Sequence, residues 1–347
     1  MGETPRVHRP FTIVAAGALA LLLATTVACG GDDGDDAGPS SSSGPPTTAD
    51  GGAGGEAGTL EVLTYNVAGL PQEISQENPE ENIPKISPLL QPFDLVLTQE
   101  DFDYWVPGGL ADGLDFTHYH ERLLADSGQP HSLDRHPGAE AVGLDLATRP
   151  NLQAGDGIGI MSQLALADQE RVPWADCFGE LDPSDGGAAD CLAMKGFAVA
   201  TVTLGGVEVD VYSLHGEAGS SPDDQRLQAE DYEQLAAFIE ERSAGRPIIL
   251  GGDTNLHLDP EHEDSGGDAD ATIWADFLER TGLVDACDEV GCDDTHIIDK
   301  VAVRSSDDLT LTAEAHDIPR DTFVDEDGED LSDHAPVHVT IGWSLAG

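Results

Sequence analysis

The sequence predicts an α/β protein, and three observations support this class. Apolar runs rich in β-formers recur along the chain, and the clearest, residues 248–250, leads into Gly251 and Gly252. A long helical pattern over residues 223–243 precedes that run, as expected where strands and helices alternate. With 347 residues, 39% of them hydrophobic, the chain is long enough to bury a large core.

The first 28 residues are predicted to direct export. Arg6 and Arg9 precede an apolar run over residues 11–28 that is short for a membrane-spanning helix and ends at Cys29. The segment TVAC resembles the end of a bacterial lipoprotein signal, which implies that Cys29 is lipidated and anchors the protein to a bacterial membrane or cell surface. Thr26 departs from the aliphatic residue usual at its position, so plain secretion is the alternative.

The next segment is predicted to be a disordered tether. Residues 29–58 are rich in Gly, Asp, Ser, Pro and Ala and cannot bury enough apolar surface to fold. Residues 59–347 then form a single folded domain. Its cysteines are Cys177, Cys191, Cys287 and Cys292, an even number for an exported protein. Of the three pairings, the preferred one is local: 177 with 191 and 287 with 292.

The acidic composition disfavours one class of partner. There are 67 acidic and 15 basic side chains, which gives a formal net charge of −52. Such a surface repels long nucleic acids unless metal ions or a basic patch intervene. A solvated acidic surface suited to high salt explains the composition without any partner, and the sequence points to no protein partner.

Polar residues repeatedly follow predicted strands. Asn66 ends an alternating run over residues 60–65, and Glu100 closely follows the buried run 95–97. A carboxylate at the end of a buried strand is costly unless a cation meets it, so Glu100 is a candidate metal ligand.

The same pattern continues through the second half of the chain. His215 ends a strand with an alternating start, and Asp253 and Asn255, one residue apart, would point the same way at the end of theirs. Asp299 is expected in the middle of a short strand. Asp333 and His334 are expected on a turn before the last strand.

One pocket would gather all of these residues, since ligand sites in α/β folds form at strand ends. Asp190 and Lys195 precede another β-run and are added to the candidates, because lysine is so scarce in this chain.

The segments TYNVAGLP, LTQE, DGIGIMS, SLHGE, GGDTN, IDKV and SDHAPV resemble the endonuclease/exonuclease/phosphatase superfamily in order and spacing. The resemblance covers the chain from about Thr59 to Trp343. It implies a DNase-like four-layer α/β/β/α sandwich, in which two mainly antiparallel sheets pack together between outer helices. It also implies cleavage of a phosphate ester that depends on a divalent metal, Mg²⁺ first, with Mn²⁺, Co²⁺ or Ca²⁺ as alternatives.

The resemblance assigns roles to the strand-end residues. Glu100 would be the principal metal ligand, with Asn66 and Asp333 beside it. His334, oriented by Asp299, would be the general base that takes a proton from the attacking water. Asp253, Asn255, Asp333 and His334 would hold water, phosphate oxygens or a second ion. His215 would bind the phosphoryl group or help the leaving oxygen, and Asp190 and Lys195 are counted among the catalytic candidates.

Within the superfamily the sequence is similar to secreted bacterial neutral sphingomyelinases. DCLAMKGF has the spacing of their aspartate and lysine pair, here Asp190 and Lys195, and QEDFD also agrees. The chain departs from them in reading GEAG after His215, where a Leu-Gln pair is usual. It also lacks an aromatic hairpin, like the membrane-inserting one of the secreted toxins, between Val301 and Ser332.

Three functions are therefore weighed. The first is a phosphodiesterase acting on a phospholipid headgroup or another small phosphodiester, with the membrane reached through the lipid anchor. The second is a secreted nuclease of the same superfamily, which the acidic surface disfavours. The third is a non-catalytic surface lipoprotein that keeps the fold.

Overall fold

The computed structural model describes residues 56–73, 75, 77–109, 114, 117–179, 189–262 and 264–347. The predicted signal, Cys29 and nearly all of the predicted tether lie outside the described residues. The first strand starts at Ala57, so the last two residues assigned to the tether belong to it. Within the described ranges, no helix combines the length and the apolar character needed to cross a membrane.

The first β-sheet contains the two ends of the folded region. Its strands are β1 (Ala57–Asn66), β2 (Leu95–Gln99), β3 (His131–Ser132), β4 (Gly159–Ser162), β11 (Leu309–Asp317) and β12 (Val337–Leu345). They lie in the order β11-β12-β1-β2-β4-β3. Only β1 and β2 pair in parallel, and the other described pairs in this sheet are antiparallel.

The second β-sheet repeats this plan. Its strands are β5 (Ala167–Pro173), β6 (Gly196–Leu204), β7 (Val207–His215), β8 (Ile248–Asp253), β9 (Val284–Asp285) and β10 (Asp299–Arg304). Their order is β5-β6-β7-β8-β10-β9, and β7 and β8 form the parallel pair. The other described pairs in this sheet are antiparallel.

In the part of the chain that the structure describes, five α-helices accompany the sheets. They are α1 (Pro79–Leu89), α2 (Thr117–Ala125), α3 (Pro222–Arg242), α4 (Ala269–Thr281) and α5 (Ala286–Val290). Ser221 starts α3 with a capping box, because its side chain accepts the amide N–H of Asp224 and the Asp224 carboxylate accepts that of Ser221. Gly282 ends α4 in the left-handed conformation, with φ of 70°.

Three apolar clusters hold the layers together. Leu97 and Ile160 of the first sheet join Val211, Ile249 and Val301 of the second in one buried cluster between the sheets. A second cluster packs α3 and α4 on the outer face of the second sheet, and a third packs α1 and α2 on the outer face of the first. The predicted four-layer α/β/β/α sandwich is therefore confirmed.

The topology gathers the ends of distant strands at one edge. The C-terminal ends of β1 and β2 lie beside each other, as do those of β7 and β8. The antiparallel neighbours β12 and β10 begin where β1 and β8 end. The last residues of the parallel strands therefore lie beside the first residues of their antiparallel neighbours.

Some elements differ from the sequence prediction. Asp299 is the first residue of β10, whereas the middle of a strand was expected. Neither α2 nor β11 was predicted, although Leu309, Leu311 and Ala313 of β11 alternate with exposed Thr residues. Threonine is itself a β-former, so this alternation is a strand signal that was not used in the prediction.

Both preferred disulfides are present. Cys177 pairs with Cys191, with Cα atoms 5.2 Å apart, and Cys287 pairs with Cys292, with Cα atoms 5.0 Å apart. Replacing both cysteines of the first pair with serine is expected to lower the free energy of unfolding by about 3 kcal/mol, since that bridge closes a loop of roughly 15 residues. The shorter loop of the second pair predicts about 2 kcal/mol. Denaturant unfolding of the two double variants measures both losses, and equal stability with the wild type would contradict the prediction.

Candidate active site

Asn66 connects the two sheets at the gathered edge. Its Nδ2 donates to Oε1 of Glu100 at 3.2 Å and to Oδ2 of Asp253 at 3.1 Å, while its Oδ1 accepts the amide N–H of Ala68. Glu100 follows β2, and Asp253 ends β8 in the opposite sheet. The amide of Asn66 thus fixes the two carboxylates relative to each other. Its role as a metal ligand stays a prediction.

Asp253 lies between two histidines. In the ladder it is opposite His215 of β7 on one side and Asp299 of β10 on the other. His215 Nε2 is 3.3 Å and His334 Nε2 is 3.7 Å from Oδ2 of Asp253. The Nδ1 of His334 lies 2.8 Å from Oδ2 of Asp299, which fits an Nδ1–H donated to that carboxylate. The predicted histidine and aspartate pair is therefore in contact.

A buried lysine lies beside this group. Lys195 forms an ion pair with Asp190 at 2.5 Å and donates to the carbonyl oxygen of Gly216 at 3.1 Å. Asn255 Nδ2 donates to the same carbonyl at 3.1 Å, and Asp190 accepts the amide N–H of Ala218. These contacts join the residues before β6 to the loops after β7 and β8.

All ten predicted catalytic and metal-binding residues thus belong to one continuous region. Its members are Asn66, Glu100, Asp190, Lys195, His215, Asp253, Asn255, Asp299, Asp333 and His334. Asp333 is exposed at the rim, and it is close enough to Glu100 to raise its pKa. The chemical roles of these residues stay predictions.

Neighbouring charges set the protonation states around Asp253. Burial alone would raise the pKa of Asp253, but His334 and Lys195 lower it below its ordinary value. Burial and the nearby Lys195 lower the pKa of His215 to about 3, so this imidazole is neutral at pH 7. Burial also opposes the charge on His334, yet Asp299 and Asp253 raise its pKa well above the ordinary value.

The residues at the rim fit a hard divalent cation. Removal from water, with the nearby charge of Asp333, raises the pKa of Glu100 to about 7. A carboxyl group that resists ionisation beside a second carboxylate gains from a cation placed between them. Oxygen donors of this kind suit Mg²⁺ or Ca²⁺. Glu100 and Asp333 would hold such an ion. Asn66 directs its Nδ2 at Glu100 and Asp253, so it would offer Oδ1 to the ion only after its side-chain amide turns over.

An apolar cavity opens beside Glu100, Lys195 and His215. Six of its lining residues are apolar: Leu70, Phe102, Trp105, Ala154, Leu192 and Ala193. The rings of Phe102 and Trp105 are 5.4 Å apart between centroids. The polar side chains of Glu100, Lys195 and His215 are therefore continuous with an apolar, partly aromatic surface. Such a surface can bind an uncharged part of a substrate or a quaternary ammonium group.

Backbone geometry at the site is restrictive. Glu100 and Asn255 have φ values of 54° and 51°, in the left-handed region that residues other than glycine adopt uncommonly, although asparagine does so more often than most. Gly252, just before Asp253, has φ of 151°, and a Cβ there would lie 2.1 Å from the carbonyl oxygen of Leu214 in β7. The glycine allows β7 and β8 to deliver His215 and Asp253 side by side.

Replacing Gly252 with alanine is therefore expected to destabilise the protein by about 1–3 kcal/mol or more, as overpacking does. Urea unfolding measures this loss. Gly206→Ala is the control, because Gly206 also has a positive φ of 88° but no atom within 4 Å of the added Cβ. A Gly252→Ala loss no larger than that of Gly206→Ala would show that the close approach of the strands is not restrictive.

Several residues that shape the site were not predicted. Ser332 Oγ donates to the carbonyl oxygen of Asn66 at 2.7 Å and accepts the amide N–H of His334 at 3.2 Å, which ties the last loop to β1. Glu217 and Asp231 are buried behind Lys195. Burial and Asp190 raise the pKa of Glu217 to about 10 and that of Asp231 to about 9. The segment GEAG after His215 contains Glu217 and stands where the sphingomyelinases usually have a Leu-Gln pair. This difference is the sequence signal that could have identified Glu217.

Comparisons with known proteins agree with this architecture. The Endonuclease/Exonuclease/phosphatase family profile matches residues 63–334. A sphingomyelinase of Mycobacterium bovis (strain ATCC BAA-935 / AF2122/97) is 28% identical over 304 residues, which cover 82% of this chain and 52% of the relative. The chain thus spans about half the length of the curated relatives it matches.

Solved structures share the fold at low sequence identity. Sphingomyelinase C from Streptomyces griseocarneus superposes with a TM-score of 0.54 at 19% identity, over 82% of this chain and 99% of that one. A beta toxin variant from Staphylococcus aureus with bound magnesium ions gives a TM-score of 0.53 at 14% identity, over 81% and 99%. Because the family match runs from β1 to His334 and so contains the whole candidate site, the chain belongs to the endonuclease/exonuclease/phosphatase family.

Proposed function

We propose that this protein is an exported, metal-dependent phosphodiesterase that removes the headgroup of a phospholipid, with sphingomyelin as the first substrate to test. The observation that carries the proposal is the contact between His334 and Asp299 beside Asp253, with Glu100 bridged to Asp253 through Asn66. These groups supply a base, a positioned carboxylate and a candidate cation ligand around one point.

His334 is proposed, in its neutral form, to take a proton from the attacking water; Asp299 and Asp253 raise its pKa, so this form gains population as the pH rises. Because its Nδ1–H donates to Asp299, its Nε2 is the nitrogen that accepts the proton. Asp253, ionised and close to that nitrogen, would orient the water. The water oxygen forms a bond to phosphorus while the bond from phosphorus to the ester oxygen breaks, and the departing ester oxygen takes a proton from solvent to leave as an alcohol.

Positive charge and a hydrogen-bond donor lie on the side of Asp253 away from Asp299. The pKa of Lys195 is opposed by burial but raised by Asp190 and Asp253, so its ammonium stays charged and can bind a phosphoryl oxygen. His215 is neutral and would serve as a hydrogen-bond donor to the phosphoryl group or the leaving oxygen. A divalent cation bound by Glu100 would neutralise charge on the phosphoryl oxygens, and we propose Mg²⁺ for this role.

The apolar cavity supports a lipid-type substrate. Its aromatic wall of Phe102 and Trp105 suits a quaternary ammonium headgroup or the apolar part of a lipid. A nuclease would need cationic side chains to meet several phosphates, whereas Lys195 is the one basic residue among those that line this cavity in the described part of the chain. The sphingomyelinase names of the relatives point in the same direction.

Membrane proximity is proposed to come from Cys29. Lipidation of this residue would hold the enzyme at a bacterial membrane or cell surface, with residues 30–56 as a spacer. In the described residues the exposed large hydrophobic side chains are Leu146 and Val284, neither of them aromatic. A lipid anchor therefore offers a route to the bilayer that does not need an aromatic insertion hairpin.

The test is a substrate panel with purified protein in Mg²⁺. Sphingomyelin vesicles, phosphatidylcholine vesicles, plasmid DNA and a chromogenic phosphodiester are each incubated with the wild type and with His334→Ala. Phosphocholine released from sphingomyelin by the wild type alone supports the proposal. Nicked plasmid without lipid cleavage would assign the protein to the nucleases, and no turnover of any phosphodiester would show that it is not an enzyme of this class.

A further inference from the structure

A buried aspartate and histidine lie next to Glu100 and take no part in the proposed mechanism. Asp101 Oδ2 is 2.8 Å from Nδ1 of His120, which belongs to α2, and the two side chains are 2% and 10% exposed. The hydroxyl of Thr98, in β2, donates to the same carboxylate oxygen at 3.3 Å. Attraction to Asp101 outweighs burial and raises the pKa of His120, so the contact is a charge-assisted hydrogen bond.

The backbone of Glu100 has an uncommon conformation that its surroundings must maintain. Its φ of 54° lies in the left-handed region, which glutamate seldom adopts. Two glycines let the chain pass closely on either side: a Cβ on Gly69 would lie 2.3 Å from the carbonyl oxygen of Glu100, and one on Gly157 would lie 3.1 Å from its Cα. Such a conformation persists only where neighbouring contacts hold it.

Contacts of the two adjacent residues hold this turn. On the N-terminal side, the carbonyl oxygen of Gln99 accepts the amide N–H of Val67 at 3.0 Å. On the C-terminal side, the amide N–H of Asp101 donates to the carbonyl oxygen of Gly157 at 2.8 Å. The Asp101 side chain adds the only one of these contacts that reaches a helix, through its hydrogen bond to α2. The turn at Glu100 is therefore connected to the outer helical layer as well as to the sheet.

We infer that His120 is a positioning residue for the candidate metal ligand Glu100. Without the imidazole, Oδ2 of Asp101 would keep the neutral hydroxyl of Thr98 as a donor, and a buried carboxylate so weakly paired gains by moving towards water. Because one peptide group joins Asp101 to Glu100, that movement turns the Glu100 carboxylate away from Asn66. The inference rests on the proposed function, since it requires Glu100 to bind the cation.

The test is calorimetry of Mg²⁺ binding to the full-length protein at pH 8. His120→Leu removes the donor and Asp101→Asn removes the charge, and we expect each to weaken Mg²⁺ binding about 10-fold, as loss of a residue that supports a metal ligand does. The double variant should bind no more weakly than either single one, because both act through the same contact. His120→Asn should recover most of the affinity, since its Nδ2 can donate from the place of the histidine Nδ1. Asp101→Asn keeps the test available if His120→Leu does not fold.

Three further variants separate positioning from other effects. His118→Leu changes an exposed histidine of the same helix and should bind Mg²⁺ like the wild type. Tyr212→Phe removes a buried hydrogen bond to Ser243 at 2.6 Å, so it should lower the unfolding midpoint and leave Mg²⁺ affinity unchanged. If Glu100→Gln loses Mg²⁺ affinity but His120→Leu and Asp101→Asn keep it, the inference is wrong and the proposed function stands. If Glu100→Gln binds like the wild type, the proposed metal site itself is wrong and the inference falls with it.

Discussion

Replacing His334 with alanine is expected to lower kcat by about 10²–10⁴-fold, the usual contribution of a general base. The physical reason is that His334 is the imidazole in contact with both Asp299 and Asp253, so no other described side chain replaces it at that point. Turnover is measured with a chromogenic phosphodiester and with lipid vesicles. Circular dichroism and the unfolding midpoint confirm that the variant is folded, and a folded variant with nearly normal kcat would remove His334 from the mechanism.

Asp299 is expected to act through His334, and its pH profile tests this role. A base must be neutral, so activity falls as the pH drops below the pKa of His334. Since Asp299, Asp253 and Asp333 raise that pKa, Asp299→Asn removes the largest of these three contributions and lowers it. The acid limb of the profile of kcat/KM should therefore move to lower pH. A merely structural role for Asp299 would lower the rate and leave the limb where it is.

Much of the site could be predicted because its residues terminate clear β-runs. Asn66, Glu100, His215 and Asp253 follow apolar or alternating segments, and parallel strands bring such ends to one edge of a sheet. Strand periodicity alone gives no information on contacts between sheets. The bridge from Asn66 to Asp253 joins residues 187 positions apart and depends on how the two sheets pack.

The features missed by sequence reasoning are those created by burial. Glu217 looks like a loop carboxylate in sequence, yet α3 covers it, and Gln228 of that helix donates to its carbonyl oxygen at 3.1 Å. Asp231 appears as an ordinary helical acid, but its side chain faces inward. Burial of this kind follows from helix orientation against the second sheet, which the weak amphipathic pattern of so acidic a helix does not specify.

Replacing Glu100 with glutamine is expected to raise the Mg²⁺ concentration needed for half-maximal activity by at least ~10–100-fold, the range seen even for residues that support metal ligands indirectly. Glutamine keeps the shape and can still accept from Asn66, but it removes the negative charge. Activity is measured over a range of Mg²⁺ concentrations, and Mg²⁺ binding is measured directly by calorimetry. Glu81→Gln, an exposed glutamate on α1, is the matched control.

The pH dependence of Mg²⁺ binding gives the sharper test of Glu100. Its pKa of about 7, raised by removal from water and by Asp333, means that a proton competes with the cation for this carboxylate. In the wild type, Mg²⁺ affinity should therefore increase as the pH rises through 7 and level off above it. Glutamine has no proton to lose, so the variant should bind weakly at every pH without this increase. An unchanged activation curve, or the same increase in Glu100→Gln, would place the cation on other residues and leave Glu100 as a partner of Asn66 alone.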